Sequence, residues 1–530
     1  MPGDGDGGSA RRWGREIEAA TVNGYPCRVY RQRPRALAEL LLDARRWRGR
    51  EFVVQGERRL SFEAFEQAVA DTAARLQREG IGAGDRVFLL GFNRIDWLLA
   101  FWAAQCLGAV TVLGNAWWSE AEAGAAIALA RPAAIVTDRQ PDTLGEWASS
   151  CIAFDALRPA LRLAAKVVPP LPPVREDDVA VIMFSSGTTG AARAVRMTHR
   201  GVIANIQNLL ALTGRLPDEL PADRPGTVSL LASPLFHLAG VQIQINTLLS
   251  GGKVVFLEGR FDPLQALEVI EREKVRVWGG IPAMVARVVD HPEFGRFDTS
   301  SIASIPMGGA SIPEELRRKV QSAFPATRKR VSSLYGHTEA GGVLAAGSGA
   351  ELEGRPGCVG RALPVVELRI ADADAEGVGE VLARTPTATA GYLGEAVPLH
   401  DEEGWIRSGD LGRLDEDGYL YLVGRSKDIV IRGGENIACA HVENCLLAHP
   451  EVLEAAVLPL PHADLGEEVG ACVVLRGAAA AVDAADLAAF VAGRLARFEV
   501  PTRWWLRHEP LPTNPSGKVL KRQIVETWPA

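Results

Sequence analysis

From Trp97 to Ser119 the chain runs without a charged side chain (WLLAFWAAQCLGAVTVLGNAWWS). About 18 or more apolar residues in a row can span a bilayer, so a run like this either crosses a membrane or is enclosed by the rest of the protein. The Leu107-Gly108 pair breaks it, and Ala109-Val110-Thr111-Val112-Leu113 has the make-up of a strand. A helix ended by Gly108 and followed by a strand buried on both faces accounts for the run without a membrane. Such a strand belongs to a parallel sheet covered by helices, and that sets the expected architecture.

The flanking chain repeats the pattern. Ala64 to Glu79 reads as an amphipathic helix and Asp85 to Leu90 as a strand. Asp96 to Leu107 is then a helix, and Pro132 to Thr137, Asp178 to Phe184, Gly252 to Leu257 and Val275 to Trp278 are further strands. Alternating strands and helices imply an α/β fold with mostly parallel sheets in a large, multilobed N-terminal body. The Pro-rich stretch Val168 to Val174 is a surface connector. After Gly424 a smaller α/β unit follows, with helices near His441–Leu447 and Ala484–Ala496 and strands near Glu454–Leu458 and Glu468–Leu475.

Composition excludes several classes. The 530 residues are 47% hydrophobic and 23% charged, which suits a globular chain of about three domains' length and rules out collagen-like or disordered types. With 58 basic against 65 acidic side chains the net charge is −7, and no basic tract is present, which argues against nucleic acid or an anionic membrane as main partner. The seven cysteines (Cys27, Cys106, Cys151, Cys358, Cys439, Cys445, Cys472) are scattered, with no CxxC pair. That is neither a zinc pattern nor a disulfide framework, and points to reduced thiols in a cytoplasmic protein. Residues 1–15 are Gly- and Asp-rich without an apolar core, and read as a disordered leader.

One loop carries a recognisable chemistry. Ser185-Ser186-Gly187-Thr188-Thr189-Gly190 follows the strand ending at Phe184. Backbone N–H groups in such a loop can converge on phosphate oxygens, and the hydroxyls add donors. No Gly-Lys-Ser/Thr follows, so it is not a Walker loop; a flexible connector is the plain alternative.

This stretch resembles the signature loop of the adenylate-forming acyl-CoA synthetases, and further motifs of that superfamily appear in order. Pro234-Leu235-Phe236-His237 looks like its aromatic acyl-side motif, and Tyr335-Gly336-His337-Thr338-Glu339 like its Tyr-Gly-x-Thr-Glu. Trp405 to Asp410, Gly424-Arg425-Ser426-Lys427-Asp428, Arg432-Gly433-Gly434-Glu435-Asn436-Ile437 and Asn514-Pro515-Ser516-Gly517-Lys518 resemble the remaining ones. The colinear agreement runs from about Leu60 to Arg522.

The resemblance implies an N-terminal domain over 16–425, a hinge at 426–428 with Lys427 at its centre, and a mobile C-terminal domain over 429–530. It implies ATP (or a pre-formed acyl-AMP), Mg²⁺ and coenzyme A as co-substrates and cofactor. Glu339 is then the metal ligand, Thr338 a phosphate donor and Lys518 the cation that reaches the carboxylate and α-phosphate. The nucleotide site gathers Ser185, Ser186, Gly187, Thr188, Thr189, Gly190 and Arg193, with Gly309, Ala310, Tyr335 and Gly336 near the adenine. Asp410 accepts from the ribose hydroxyls and Arg425 supports ribose and phosphate. Gly433 and Gly434 let pantetheine approach the backbone; a Gly turn from strand to helix is the plain alternative. His237 gates the acyl pocket, which Val241, Trp278, Gly279, Gly308, Gly309, Tyr335, Gly336 and Gly341 line. The glycines leave volume and Trp278 offers a flat wall, which favours a bulky apolar acid.

The loop departs from the superfamily pattern where Pro-Lys-Gly is usual, having Ala192, Arg193 and Ala194. Arg and Lys are not interchangeable, and Ala removes both a fixed and a positive φ. Either the drift is tolerated, or adenylation is impaired and the chain mainly thioesterifies an acyl-adenylate delivered by a partner ligase. A second departure is Ala438-Cys439-Ala440 in place of an aromatic-Pro pair. Ligation to a carrier protein, a luciferase-like oxygenase, and a silent acyl-AMP-binding regulator are the other readings; a homodimer is compatible with each.

Overall fold

The computed structural model describes residues 12–157, 168, 170–185, 193–309, 312, 314–327, 330–396, 398–425, 428–433, 435–476, 482–513 and 519–529. The uncharged run forms a helix at Ile95–Cys106, every residue of it buried, then Gly108 at φ +69 and a fully buried strand at Val110–Gly114. That helix rises only about 18 Å, well short of a bilayer core. Among the described residues no helix is long and apolar enough to cross a membrane.

Three large sheets and a two-stranded one, Ile17–Val22 with Tyr25–Tyr30, build the described N-terminal body. The first has the order Arg193–Thr198, Val179–Ser185, Val110–Gly114, Arg86–Leu90, Ala134–Thr137, Cys151–Ala153, with every pair but the first parallel. The second runs Val277–Gly279, Val228–Leu231, Lys253–Phe256, Glu51–Gln55, Arg58–Ser61, parallel except at its last pair. The third, eight-stranded sheet opens with the parallel pair Ile305–Gly308 and Val331–His337, and its other pairs are antiparallel. The strands buried on both faces are the apolar runs visible in the sequence; the antiparallel ones alternate and escape so simple a reading.

The C-terminal unit has its own core around one sheet, Glu435–Ala438, Ile429–Arg432, Gly466–Leu475, Val452–His462, with Arg503–Arg507 added beside Gly466–Leu475. Strand alternation sends Val457, Ala471 and Val473 to one face under the helices Cys439–Leu447 and Ala484–Ala492. It sends Ala456, Leu458, Cys472 and Val474 to the other, where Ile524 of the last helix closes the layer.

Trp13 and Arg15, expected within a disordered leader, are held in place. Residues 1–11 lie outside the described residues, but Trp13 is already buried, its indole N–H donating to Asp43 Oδ2 at 2.9 Å. Arg15 pairs with Glu219 at 2.7 Å. Contacts to distant segments hold this piece, which its own composition cannot signal.

A buried histidine makes the fold acid-sensitive. His199 accepts the Leu37 N–H at Nδ1 (3.1 Å), and burial pulls its pKa down to about 4. Below an unfolded value of about 6.5 the unfolded chain takes a proton that the folded chain refuses until about 4. Stability therefore falls across that window, by about 1.4 kcal/mol per pH unit for this group. We expect the thermal midpoint to drop between pH 6.5 and 4, and less steeply in His199→Gln; an unchanged slope would remove His199 from the account.

Candidate active site

Four parallel strand ends open on one edge. Leu231 is paired with Gly279, Gly280 bridges Met307, and Gly308 is paired with Leu334. The loops leaving these strands, before His237, after Gly279, after Gly308 and after Tyr335, therefore share that edge. Clefts at the carboxyl ends of parallel strands are where α/β sheets bind ligands. Ser185 ends the matching strand of the first sheet.

Glu339 lies in the turn after Val331–His337, the segment that the Tyr-Gly-x-Thr-Glu resemblance marked. The Tyr392 hydroxyl donates to its Oε1 at 3.3 Å, and His337 Nδ1 is 3.5 Å from Oε2. Burial works against the charge, but the contacts from His337 and Ser185 outweigh it and hold the carboxyl at about 2. Ser185 Oγ is itself buried, and beyond this carboxylate it has no hydrogen-bond partner among the described residues. A carboxylate kept ionised beside a hydroxyl fits a hard cation that takes one or two carboxylates and completes its shell with phosphate oxygens. Among the described residues no three His, Cys, Asp or Glu side chains stand together as a metal cage.

A second group has formed across the third sheet. Tyr335, 75 residues away in sequence, donates its hydroxyl to Asp410 Oδ2 at 2.8 Å, and Arg425 Nε pairs with Asp410 Oδ1 at 3.0 Å. Asp410 and Arg425 face each other across neighbouring strands, which brings the two motifs together. Burial, with the Asp410 charge beside it, raises the Tyr335 phenol well above its ordinary value, so it stays a donor. Thr338 opens the Glu339 turn, its carbonyl accepting from Gly341 at 3.0 Å.

His237 precedes the helix Leu238–Leu249 and packs against Phe236 with ring centroids 4.7 Å apart. Its Nε2 is enclosed without a partner among the described residues, and burial lowers its pKa to about 4, so the ring is neutral. The expected pocket wall needs correction. Trp278 is wholly enclosed in the second core with Val285, Val288, Ile305 and Met307, on the side of its strand opposite Gly279, and presents no open face. Val241 is likewise core. Three of the glycines are glycine for packing and contribute no spare volume. A Cβ at Gly308 would sit 2.7 Å from Leu334 O, at Gly336 2.1 Å from Gly342 O, and at Gly341 1.7 Å from Thr387 O. Gly279 and Gly309 do have room, with the nearest atoms at 3.5 and 3.6 Å.

Gly433, at φ +58, follows the first strand of a hairpin that pairs Ile429–Arg432 with Glu435–Ala438. The chain therefore runs strand to strand there, and the next helix starts only at Cys439. Ser186, Gly187, Thr188, Thr189, Gly190, Ala192, Ala310, Lys427, Gly434 and Lys518 lie outside the described residues. Arg193 is described, with its guanidinium over the Tyr392 ring and near Glu395. Sequence reasoning missed Tyr392 and the part played by His337. A Gly-Tyr pair in an extended segment has no spacing relation to Glu339 that would expose it.

Comparison with known proteins places this geometry. The model of the AMP-binding enzyme family matches residues 42–393, and that of the AMP-binding enzyme C-terminal domain matches residues 441–518. A feruloyl-CoA synthase from Amycolatopsis sp is 32% identical over 514 residues, covering 95% of this chain and 98% of the relative. The 3-[(3aS,4S,7aS)-7a-methyl-1,5-dioxo-octahydro-1H-inden-4-yl]propanoyl:CoA ligase of Rhodococcus jostii is 31% identical, covering 89% and 95%. The solved o-succinylbenzoate CoA synthetase of Bacillus subtilis, in complex with its acyl-adenylate intermediate, superposes with a TM-score of 0.79 at 25% identity, covering 92% of this chain and 97% of that one.

Proposed function

The chain belongs to the AMP-binding enzyme family and is an acyl-CoA synthetase, and from that premise we propose that it ligates a bulky, largely apolar carboxylic acid to CoA through an acyl-adenylate. In the first half-reaction a carboxylate oxygen attacks the α-phosphorus, the bond to the bridging oxygen breaks, and pyrophosphate leaves. In the second the CoA thiolate adds to the acyl carbon and AMP departs with the electrons of the C–O bond.

The residues divide this work. Glu339, held ionised by its neighbours, would hold Mg²⁺, which supplies charge neutralisation at the phosphates when bound. Asp410, already anchored by Tyr335 and Arg425, offers its carboxylate to the ribose hydroxyls. Lys518 brings a cation to the oxygens on which charge accumulates. Neutral His237, with Gly279 and Gly309, where a Cβ would meet only ordinary contacts, would border the acyl site.

The observation that carries this reading is the partly buried Glu339, held ionised between His337, Tyr392 and the Ser185 hydroxyl. Support for a bulky acid comes from the relatives, whose names specify a feruloyl group and a fused bicyclic propanoyl group. One observation favours a second reading, thioesterification alone: Arg193 is engaged by Tyr392 and Glu395 and so is partly withdrawn from phosphate.

Separating the half-reactions decides between them. Pyrophosphate release from ATP with a panel of aromatic and fused-ring acids is expected, as is thioester from supplied acyl-adenylate and CoA. Thioester without pyrophosphate release would establish the second reading, and neither would overturn both. Gly279→Leu is expected to raise the KM of the largest acids about tenfold or more while sparing acetate-sized ones, because its Cβ meets only ordinary contacts. Equal effects on large and small acids would displace Gly279 from the pocket.

A further inference from the structure

Arg193 stands where the superfamily loop usually has a lysine, but its surroundings give it a different task. Its guanidinium carbon lies 5.0 Å over the Tyr392 ring and its Nε lies 3.6 Å from Glu395 Oε2. The Tyr392 hydroxyl in turn donates to Glu339 Oε1. The backbone holds this arrangement on both sides. Leu393 N–H donates to Ala194 O at 2.8 Å and Arg196 N–H to Gly391 O at 3.0 Å, so the segment is stitched to the strand that begins at Arg193. Thr389 N–H donates to Glu339 O at 3.0 Å, which ties the same segment to the carboxylate turn. Burial and the Glu339 charge raise the Tyr392 phenol above its ordinary value, which keeps its proton available for donation.

We propose that Arg193 is a positioning residue for the metal-binding carboxylate: anchored by Glu395, its guanidinium holds the Tyr392 ring, and the held phenol aims one oxygen of Glu339. A flat guanidinium can lie on a ring and still reach a carboxylate, whereas an ammonium is a point charge without a face. The Lys-to-Arg exchange then accompanies a different way of holding the cation site and does not mark decay of the loop. This inference rests on the adenylating reading, since it concerns the cation that ATP brings.

The test reads metal binding directly. Mn²⁺ binding in the presence of ATP and without acid, followed by electron paramagnetic resonance, needs no turnover. Tyr392→Phe keeps the ring and removes the hydroxyl, and is expected to weaken Mn²⁺ about three- to tenfold, as the loss of one hydrogen bond to a charged group does. Arg193→Ala is expected to do the same, Arg193→Lys to rescue little, and the double variant to be no worse than the weaker single, because both changes cut one chain of contacts. ATP binding without metal should change less than twofold in all of them, and melting curves confirm folding. Two results overturn the proposal while leaving the wild-type function intact: additive losses in the double variant, or an Arg193→Ala loss of metal-free ATP binding as large as that of Mn²⁺. Failure of the wild type to bind Mn²⁺ with ATP would overturn the adenylating reading as well.

Discussion

Replacing Lys518 with alanine is expected to slow acyl-adenylate formation by about two to three orders of magnitude, while thioester formation from supplied acyl-adenylate stays within a few-fold of the wild type. The asymmetry follows from where charge develops. In the first step negative charge gathers between the attacking carboxylate and the α-phosphate, and a long cation aimed there is worth several kilocalories. In the second step charge leaves with AMP, whose ribose we assign to the Asp410–Arg425 pair instead. The measurement is the pair of half-reaction rates on one preparation. Equal losses in both would make Lys518 a folding residue, and no loss in either would favour a silent binding protein.

The second large effect is on stability. Gly341→Ala is expected to cost more than about 4 kcal/mol, or to leave no soluble protein, which places it among the exceptional single substitutions. Gly341 sits at φ +70, where a side chain costs roughly 1–2 kcal/mol in backbone strain alone. Its Cβ would fall 1.7 Å from Thr387 O, and that carbonyl has little room to retreat, because Gly201 packs against it with a Cβ position 3.0 Å away. The Thr387 hydroxyl, bonded to Ala340 O at 2.5 Å, fixes the segment further. Soluble yield and a thermal melt check this; a midpoint within a few degrees of the wild type would show that the two segments can separate.

These two residues also mark how far the sequence could be read. Lys518 is visible because a short Pro-Ser-Gly-Lys segment in a fixed order after six other motifs is a one-dimensional signal. Gly341 stands two residues past the Tyr-Gly-x-Thr-Glu segment and was named only among the pocket-lining residues. It was expected to open a pocket, and it exists to let a turn touch the Thr387 backbone. Trp278 repeats the lesson, since its size suggested a wall and strand alternation turned it into the core behind Gly279. The uncharged run at Trp97–Ser119 was legible in full, as a helix, a glycine stop and a buried strand. The carboxylate setting was not: Tyr392 meets Glu339 across 53 residues, and nothing in the spacing announces it.

By itself, the sequence determined the elements that are local in origin: apolar runs long enough to be buried, glycines that stop them, and the order of motifs that implied a two-domain ligase. Burial and hydrogen bonding act on neighbours in the chain through fixed periodicities, so such features survive in one dimension. Only the tertiary structure decided which glycines are needed for packing, which large aromatic is core, and which phenol donates to Glu339. Each of those depends on where a carbonyl or a ring from a distant segment comes to rest, and no local period encodes that.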